Sequence, residues 1–114
     1  MKTIIAGGRD GHLNPKNMQV LDCLGITEVV SGGCSGIDRD AEAWALSRHI
    51  PCKIFEAEWK KYKSAAGPLR NIKMAEYADT VVLFPGGKGT DSMYREAVKA
   101  KLEIYDFRDY TNRF

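Results

Sequence analysis

Short apolar runs alternate with stretches whose apolar positions recur near the helical period, and this alternation repeats along nearly all of the 114-residue chain. Thr3 to Ala6 reads as a first strand, ended by glycines. Asn14-Pro15 then starts a helix, a capping side chain followed by proline at the first helical position, and Gly25 closes it after Met18, Val20, Leu21 and Leu24. A second strand spans Glu28 to Ser31. Asp38 is placed to cap the next helix, in which Ala41, Trp44 and Ala45 keep helical spacing and which stops ahead of Pro51. Cys52 to Phe55 reads as a third strand. The segment from Glu56 to Ala66 is polar with interleaved aromatics, and Gly67-Pro68 opens a helix bearing Leu69, Ile72, Met74, Ala75 and Tyr77. Thr80 to Phe84 is the most apolar run, the pattern of a central parallel strand covered on both faces. A helix from about Thr90 to Lys101 and a last strand near Leu102 to Tyr105 follow.

Alternating strands and helices imply a parallel sheet with right-handed crossovers, an α/β doubly wound domain of about five parallel strands with helices on both faces. The expected organisation is one domain over residues 1–107 with a short C-terminal tail, 108–114. Assuming the strand order 3-2-1-4-5, the winding reverses between the first and fourth strands, and ligands of such sheets bind in the crevice at that reversal.

Three glycine-rich loops fall where that crevice would lie. Gly7-Gly8-Arg9-Asp10 follows the first strand, Gly32-Gly33-Cys34-Ser35-Gly36-Ile37-Asp38 the second, and Pro85-Gly86-Gly87-Lys88-Gly89-Thr90-Asp91 the fourth. Glycine permits positive φ and leaves no side chain in the way, so successive N–H groups can close on an anion at the positive end of the following helix. Candidate phosphate or ligand contacts are therefore Gly7, Gly8, Arg9, Asp10, Gly32, Gly33, Gly36, Asp38, Gly86, Gly87, Gly89 and Thr90. The alternatives are ordinary ones: a tight turn capped by Thr90, a helix cap at Asp38 against a ribose hydroxyl contact, and a plain polar turn at Arg9-Asp10.

Charge and cysteines narrow the setting. A net charge of +2 is too small to argue for nucleic acid by itself, yet it does not oppose small anions. Cys23, Cys34 and Cys52 are an odd number without C-x-x-C spacing, which reads as reduced thiols in a cytoplasmic protein. Cys34 lies near a helix start with no histidine placed beside it, so it reads as a small filler before a nucleophile. No apolar stretch is long enough for a signal peptide or a membrane span. His12 and His49 are isolated, and neither a metal nor another cofactor is expected.

With the loops placed, the chain resembles the Rossmann-like SLOG superfamily, named for DprA/Smf and the cytokinin-activating LOG proteins, and most closely its small YspA, cpYpsA-related branch. The resemblance rests on Ile5-Ala6-Gly7-Gly8-Arg9-Asp10, Val30 to Asp38, Glu58-Trp59, Ala66-Gly67-Pro68-Leu69-Arg70-Asn71 and the Pro85 to Thr90 loop. It implies a nucleotide-derived ligand, such as a nucleotide or an ADP-ribose-like molecule, and a homo-oligomer. The Ser31 to Asp38 stretch is similar to a segment of DprA, which implies single-stranded DNA as another ligand. The Pro85 loop is similar to the P-G-G-x-G-T-x-x-E motif of LOG enzymes, which implies phosphoribohydrolase action on nucleoside 5'-monophosphates. Met93 stands where that motif has its glutamate. An oxocarbenium-like transition state wants a carboxylate, which methionine does not supply, and Glu96 and Asp91 are the nearest replacements.

The segment marked by the resemblance also carries Arg70, whose guanidinium suits a two-pronged phosphate clamp, with Asn71 as companion; a surface salt bridge is the alternative. Trp59-Lys60-Lys61-Tyr62-Lys63 interleaves aromatics and cations as single-strand binders do, although such a run is more commonly a solvated helix. Trp59 could instead wall a nucleotide pocket. The leading expectation is nucleotide-derived ligand binding, as in a sensor, ahead of hydrolysis and of DNA binding.

Overall fold

A computed structural model describes residues 1–108. Its strands are β1 (Lys2–Ala6), β2 (Glu28–Ser31), β3 (Cys52–Ile54), β4 (Thr80–Leu83) and β5 (Glu103–Asp106). All pair in parallel, in the order β3-β2-β1-β4-β5, so the reversal of winding falls between β1 and β4 as expected. Ile4 sits between Val30 of β2 and Val81 of β4 in the register.

Successive strand residues point to opposite faces, and each face has its own helices. Ile5, Val29, Val82 and Phe84 pack with Leu21 of α1 (Pro15–Asp22) and with Ile37, Ala41, Trp44 and Ala45 of α2 (Ile37–Ser47). On the other face Ile4, Val30, Val81 and Leu83 meet Met74 and Ala75 of α4 (Ala66–Tyr77) and Met93 and Ala97 of α5 (Lys88–Lys99). Every residue of β4 is buried, which explains why its sequence shows no polar alternation. Between β3 and α4 the polar segment forms a short helix, α3 (Trp59–Tyr62), and a 3-10 turn over Lys63–Ala65. No helix among the described residues is long and apolar enough to cross a membrane.

The Asn14 cap forms as expected: its Oδ1 accepts from Asn17 N at 2.8 Å, and Asn17 Oδ1 accepts from Asn14 N at 3.0 Å. That helix ends at Asp22, short of Gly25, which follows in a left-handed turn at φ 69°. Three helix starts are corrected. Asp38 is not the cap of α2; Gly36 holds that place at φ 76°, so the chain turns into the helix at Ile37 and puts Asp38 inside its first turn. Thr90 is not the cap of α5, because Gly87 precedes a helix that already begins at Lys88. Helix α4 begins at Ala66, continuing directly from the 3-10 turn, and places Gly67-Pro68 in its first turn, where proline's missing N–H costs nothing. Strand β5 runs one residue later than expected, over Glu103–Asp106.

Residues 109–114 of the expected tail lie outside the described residues. Arg108, the first residue assigned to it, is held firmly: its Nη2 donates to Asp106 Oδ2 at 2.8 Å, its Nη1 to Asp91 Oδ1 at 3.0 Å, and its guanidinium lies over the Tyr94 ring.

Two glycines with positive φ separate backbone strain from steric overlap. A Cβ at Gly25 meets nothing within 4 Å, whereas one at Gly36 drives into the backbone of Gly8 and Arg9. Gly25→Ala should therefore lower stability by ~1 kcal/mol, the cost of a left-handed L-residue, and Gly36→Ala by at least ~2 kcal/mol. Urea denaturation of the two variants measures the difference; equal losses would show that the loops do not press on each other at Gly36.

Candidate functional site

The backbone of Gly8 joins the three glycine loops. Its N–H donates to Pro85 O at 2.9 Å, and its carbonyl accepts from Ile37 N, the first residue of α2, and from Gly11 N, both at 3.2 Å. Ser35 Oγ adds a bond to Arg9 O at 3.2 Å. The loops after β1, β2 and β4 thus converge above the β1/β4 reversal and enclose a cleft of ≈ 380 Å³.

Of the expected residues, Gly7, Gly8, Arg9, Gly32, Asp38, Arg70, Asn71, Gly87, Gly89 and Thr90 line this cleft. Gly33 lines an adjoining chamber, together with Trp59. Asp10, Gly36 and Gly86 line neither. Gly36 and Gly86 serve loop packing instead: a Cβ at Gly86 collides with Thr90 Oγ1 and comes within 2.8 Å of Gly8 N. Gly7 and Gly32 are likewise demanded from within, by Ile37 at 2.6 Å and by Arg70 Nη1 at 2.6 Å.

Gly87 and Gly89 differ. Neither has a positive φ, and a Cβ on either meets nothing within 4 Å. Gly89 even lies in the first turn of α5, where glycine costs about 1 kcal/mol relative to alanine. The N–H groups of Lys88, Gly89 and Thr90 precede the first helical bond, Asp91 N to Gly87 O at 3.1 Å, and have no partner among the described residues. This end of α5 is bare backbone with its dipole directed at the cleft.

Arg70 reaches the cleft from α4. Its Nη1 donates to Gly32 O at 2.6 Å and its Nε to Asn71 Oδ1 at 2.9 Å, an arrangement that holds the guanidinium plane and leaves Nη2 without a partner among the described residues. Asn71 is buried and fully engaged, since its Nδ2 also donates to Gly89 O at 3.3 Å and Ser92 Oγ at 3.2 Å. It therefore positions Arg70 and the start of α5. Lys88, which the glycine pattern obscured although it stands among those glycines, adds a third cation to Arg9 and Arg70. None of the three takes part in an ion pair among the described residues.

Among the described residues, Asp38 is the one carboxylate that lines the cleft. Burial pushes its carboxyl up to about 6; the Cys34 N–H, 3.1 Å from Oδ2, and the nearby Arg70 charge only partly offset this. Cys34 lies in the same wall, its Sγ 3.8 Å from Arg70 Nη1. Met93 is buried and forms part of the floor. Neither possible replacement for the missing glutamate faces the cleft: Glu96 pairs with Lys99 at 3.6 Å, and Asp91 is held by Arg108. Lys60, Lys61 and Lys63 are exposed, with Lys61 Nζ over the Tyr62 ring.

Parallel strands wound in two directions, with a cationic, glycine-lined cleft at the reversal, define a Rossmann-like α/β protein. The profile of the YspA, cpYpsA-related SLOG family (YAcAr) matches residues 1–62, and the chain belongs to that family. The matched part holds β1 to β3 and the first two glycine loops, while Arg70 and the third loop lie beyond it. No curated protein matches the chain.

The buried carboxyl predicts a pH dependence of stability. Asp38 holds its proton more tightly when folded than the unfolded carboxyl does, so the folded state binds more protons between about pH 4 and 6, and stability falls as pH rises through that window. Between pH 4 and 7 wild type should lose on the order of 2–3 kcal/mol relative to Asp38→Asn, as read from urea midpoints. Parallel curves for the two proteins would mean that Asp38 titrates normally.

Proposed function

We propose that this protein binds a nucleotide or nucleotide-derived ligand by gripping its phosphate at the start of α5. The reading rests on Gly87 and Gly89: the fold does not require glycine at either place, and both flank free N–H groups in a cleft lined by Arg9, Arg70 and Lys88. Glycine there is accounted for by an anion that approaches the backbone more closely than a side chain allows. Arg70 and Lys88, both lining the cleft, bring positive charge to it, and Gly32 O with Asn71 holds the guanidinium in place before the ligand arrives. Membership of the SLOG family fits a nucleotide-related ligand.

Binding is favoured over hydrolysis because Met93 occupies the cleft floor and the nearby carboxylates of Asp91 and Glu96 are engaged elsewhere. Overnight incubation with AMP should release no adenine beyond that of an Arg70→Ala control. Free adenine above that level would identify Asp38, the carboxylate that does line the cleft, as the group to pursue.

Binding and stability should separate at two positions. Arg70→Lys keeps the charge but gives up the fork, and should weaken a bound 5'-phosphate by ~1–3 kcal/mol. Gly89→Ala should raise the stability of the free protein by ~0.5–1 kcal/mol while lowering its affinity, because the new methyl projects where the anion sits. Thermal melts with and without mono- and dinucleotides and ADP-ribose measure both. No shift with any of them in wild type, or undiminished shifts in both variants, would place the ligand elsewhere.

A further inference from the structure

The cleft opens into a second chamber of ≈ 590 Å³, and the two share a wall made of Arg9, Gly32, Cys34 and Arg70. The feature that sets the outer chamber apart is Trp59, 49% exposed on α3 yet facing a concavity. The edge of its ring rests against the first turn of α4, with Cη2 3.4 Å from where a Cβ on Gly67 would stand. Gly67 and Arg70 are three residues apart on that helix and share one face, so the contact puts Trp59 on the side of α4 that carries Arg70, and both residues line the outer chamber. The other tryptophan offers a contrast: Trp44 is buried in the core, its Nε1 bonded to Asp22 Oδ1 at 3.1 Å. Among the described residues, the single charged one that the outer chamber adds to the shared wall is Glu56.

We propose that the outer chamber is a base subsite, in which Trp59 stacks on the planar heteroaromatic ring of a nucleotide whose phosphate lies at α5. This rests on the phosphate reading above and specifies the other end of the ligand. An indole half open to solvent within a pocket offers a large flat apolar face, and base stacking uses such a face irrespective of sequence. The acidic Glu56 opposes a second phosphate at this end and can accept a hydrogen bond from a base amino group. Continuity through Arg9 and Arg70 places the ring next to the phosphate site, so that the sugar spans the shared wall. The ligand class is a nucleotide with one anionic end and one uncharged aromatic end.

Calorimetric titration with ribose 5-phosphate and with the 5'-monophosphates of adenosine, guanosine, cytidine and uridine separates the two ends. Wild type should bind ribose 5-phosphate, bind at least one nucleotide ~10-fold or more tightly than that, and show a change in tryptophan emission with the nucleotide alone. Trp59→Ala should cost that nucleotide ~5- to 150-fold and leave ribose 5-phosphate within twofold, whereas Trp59→Phe retains most of the preference. Nucleotides that bind no tighter than ribose 5-phosphate overturn the base subsite and leave the phosphate reading standing. So does a Trp59→Ala variant that loses both ligands equally or neither. If ribose 5-phosphate and all four nucleotides fail to bind, the phosphate reading falls and the base subsite falls with it.

Discussion

The backbone of one residue, Gly8, links the parts of the site that come from distant stretches of chain. Its N–H reaches the end of β4 through Pro85, and its carbonyl receives the first N–H of α2. Parallel strands set their loops side by side at one end of the sheet, but they do not lock those loops together. The Gly8 bonds do so, and they require bare backbone on both sides: a Cβ at Gly8 would sit 3.2 Å from Pro85 O, and one at Gly36 would overlap the Gly8 carbonyl. The cleft is therefore set by folding itself. Ordering three separate loops around a ligand would otherwise draw on the binding free energy.

The glycines consequently divide into two kinds, which composition alone does not distinguish. Gly7, Gly36 and Gly86 make room for neighbouring protein atoms whose displacement disturbs the loops, and Gly32 makes room for the Arg70 guanidinium. Gly87 and Gly89 make room for nothing among the described residues, and the second weakens the helix it belongs to. Natural sequences depart from local preference mainly where function requires it. Asn71 shows the complementary strategy: a buried amide joins Arg70, Gly89 and Ser92, so the cation and the helix end keep a fixed relation.

The parallel sheet was legible from the alternation of apolar runs, because right-handed crossovers leave few arrangements of five parallel strands; its order, and with it the meeting of the loops, was an assumption that the fold then bore out. The helix starts were less legible. Asp38 has the side chain of a cap, but which residue turns into the helix is decided by backbone dihedrals, and Gly36 takes a conformation that aspartate rarely adopts. Burial then gives Asp38 a different character, a carboxyl with a raised proton affinity, which no local pattern reveals. The bond of Arg70 to Gly32, 38 positions away, depends on tertiary approach and has no sequence signature. Lys88 stands between Gly87 and Gly89, in a glycine pattern that points to backbone contacts and not to side-chain charge.

The contact at Arg108 bears on the site from the far side of α5. Asp91 occupies the first turn of that helix, and a lone carboxylate there would complement the helix dipole while repelling any anion at the same N-terminus. Arg108 stands 3.0 Å from it, also grips Asp106 at the end of β5, and covers Tyr94. Arg108, shared with Asp106, offsets part of the Asp91 charge, so the helix end loses less of its attraction for negative charge than a lone carboxylate would cost it. A residue that composition assigns to a tail thus serves as a counterion beside the start of α5.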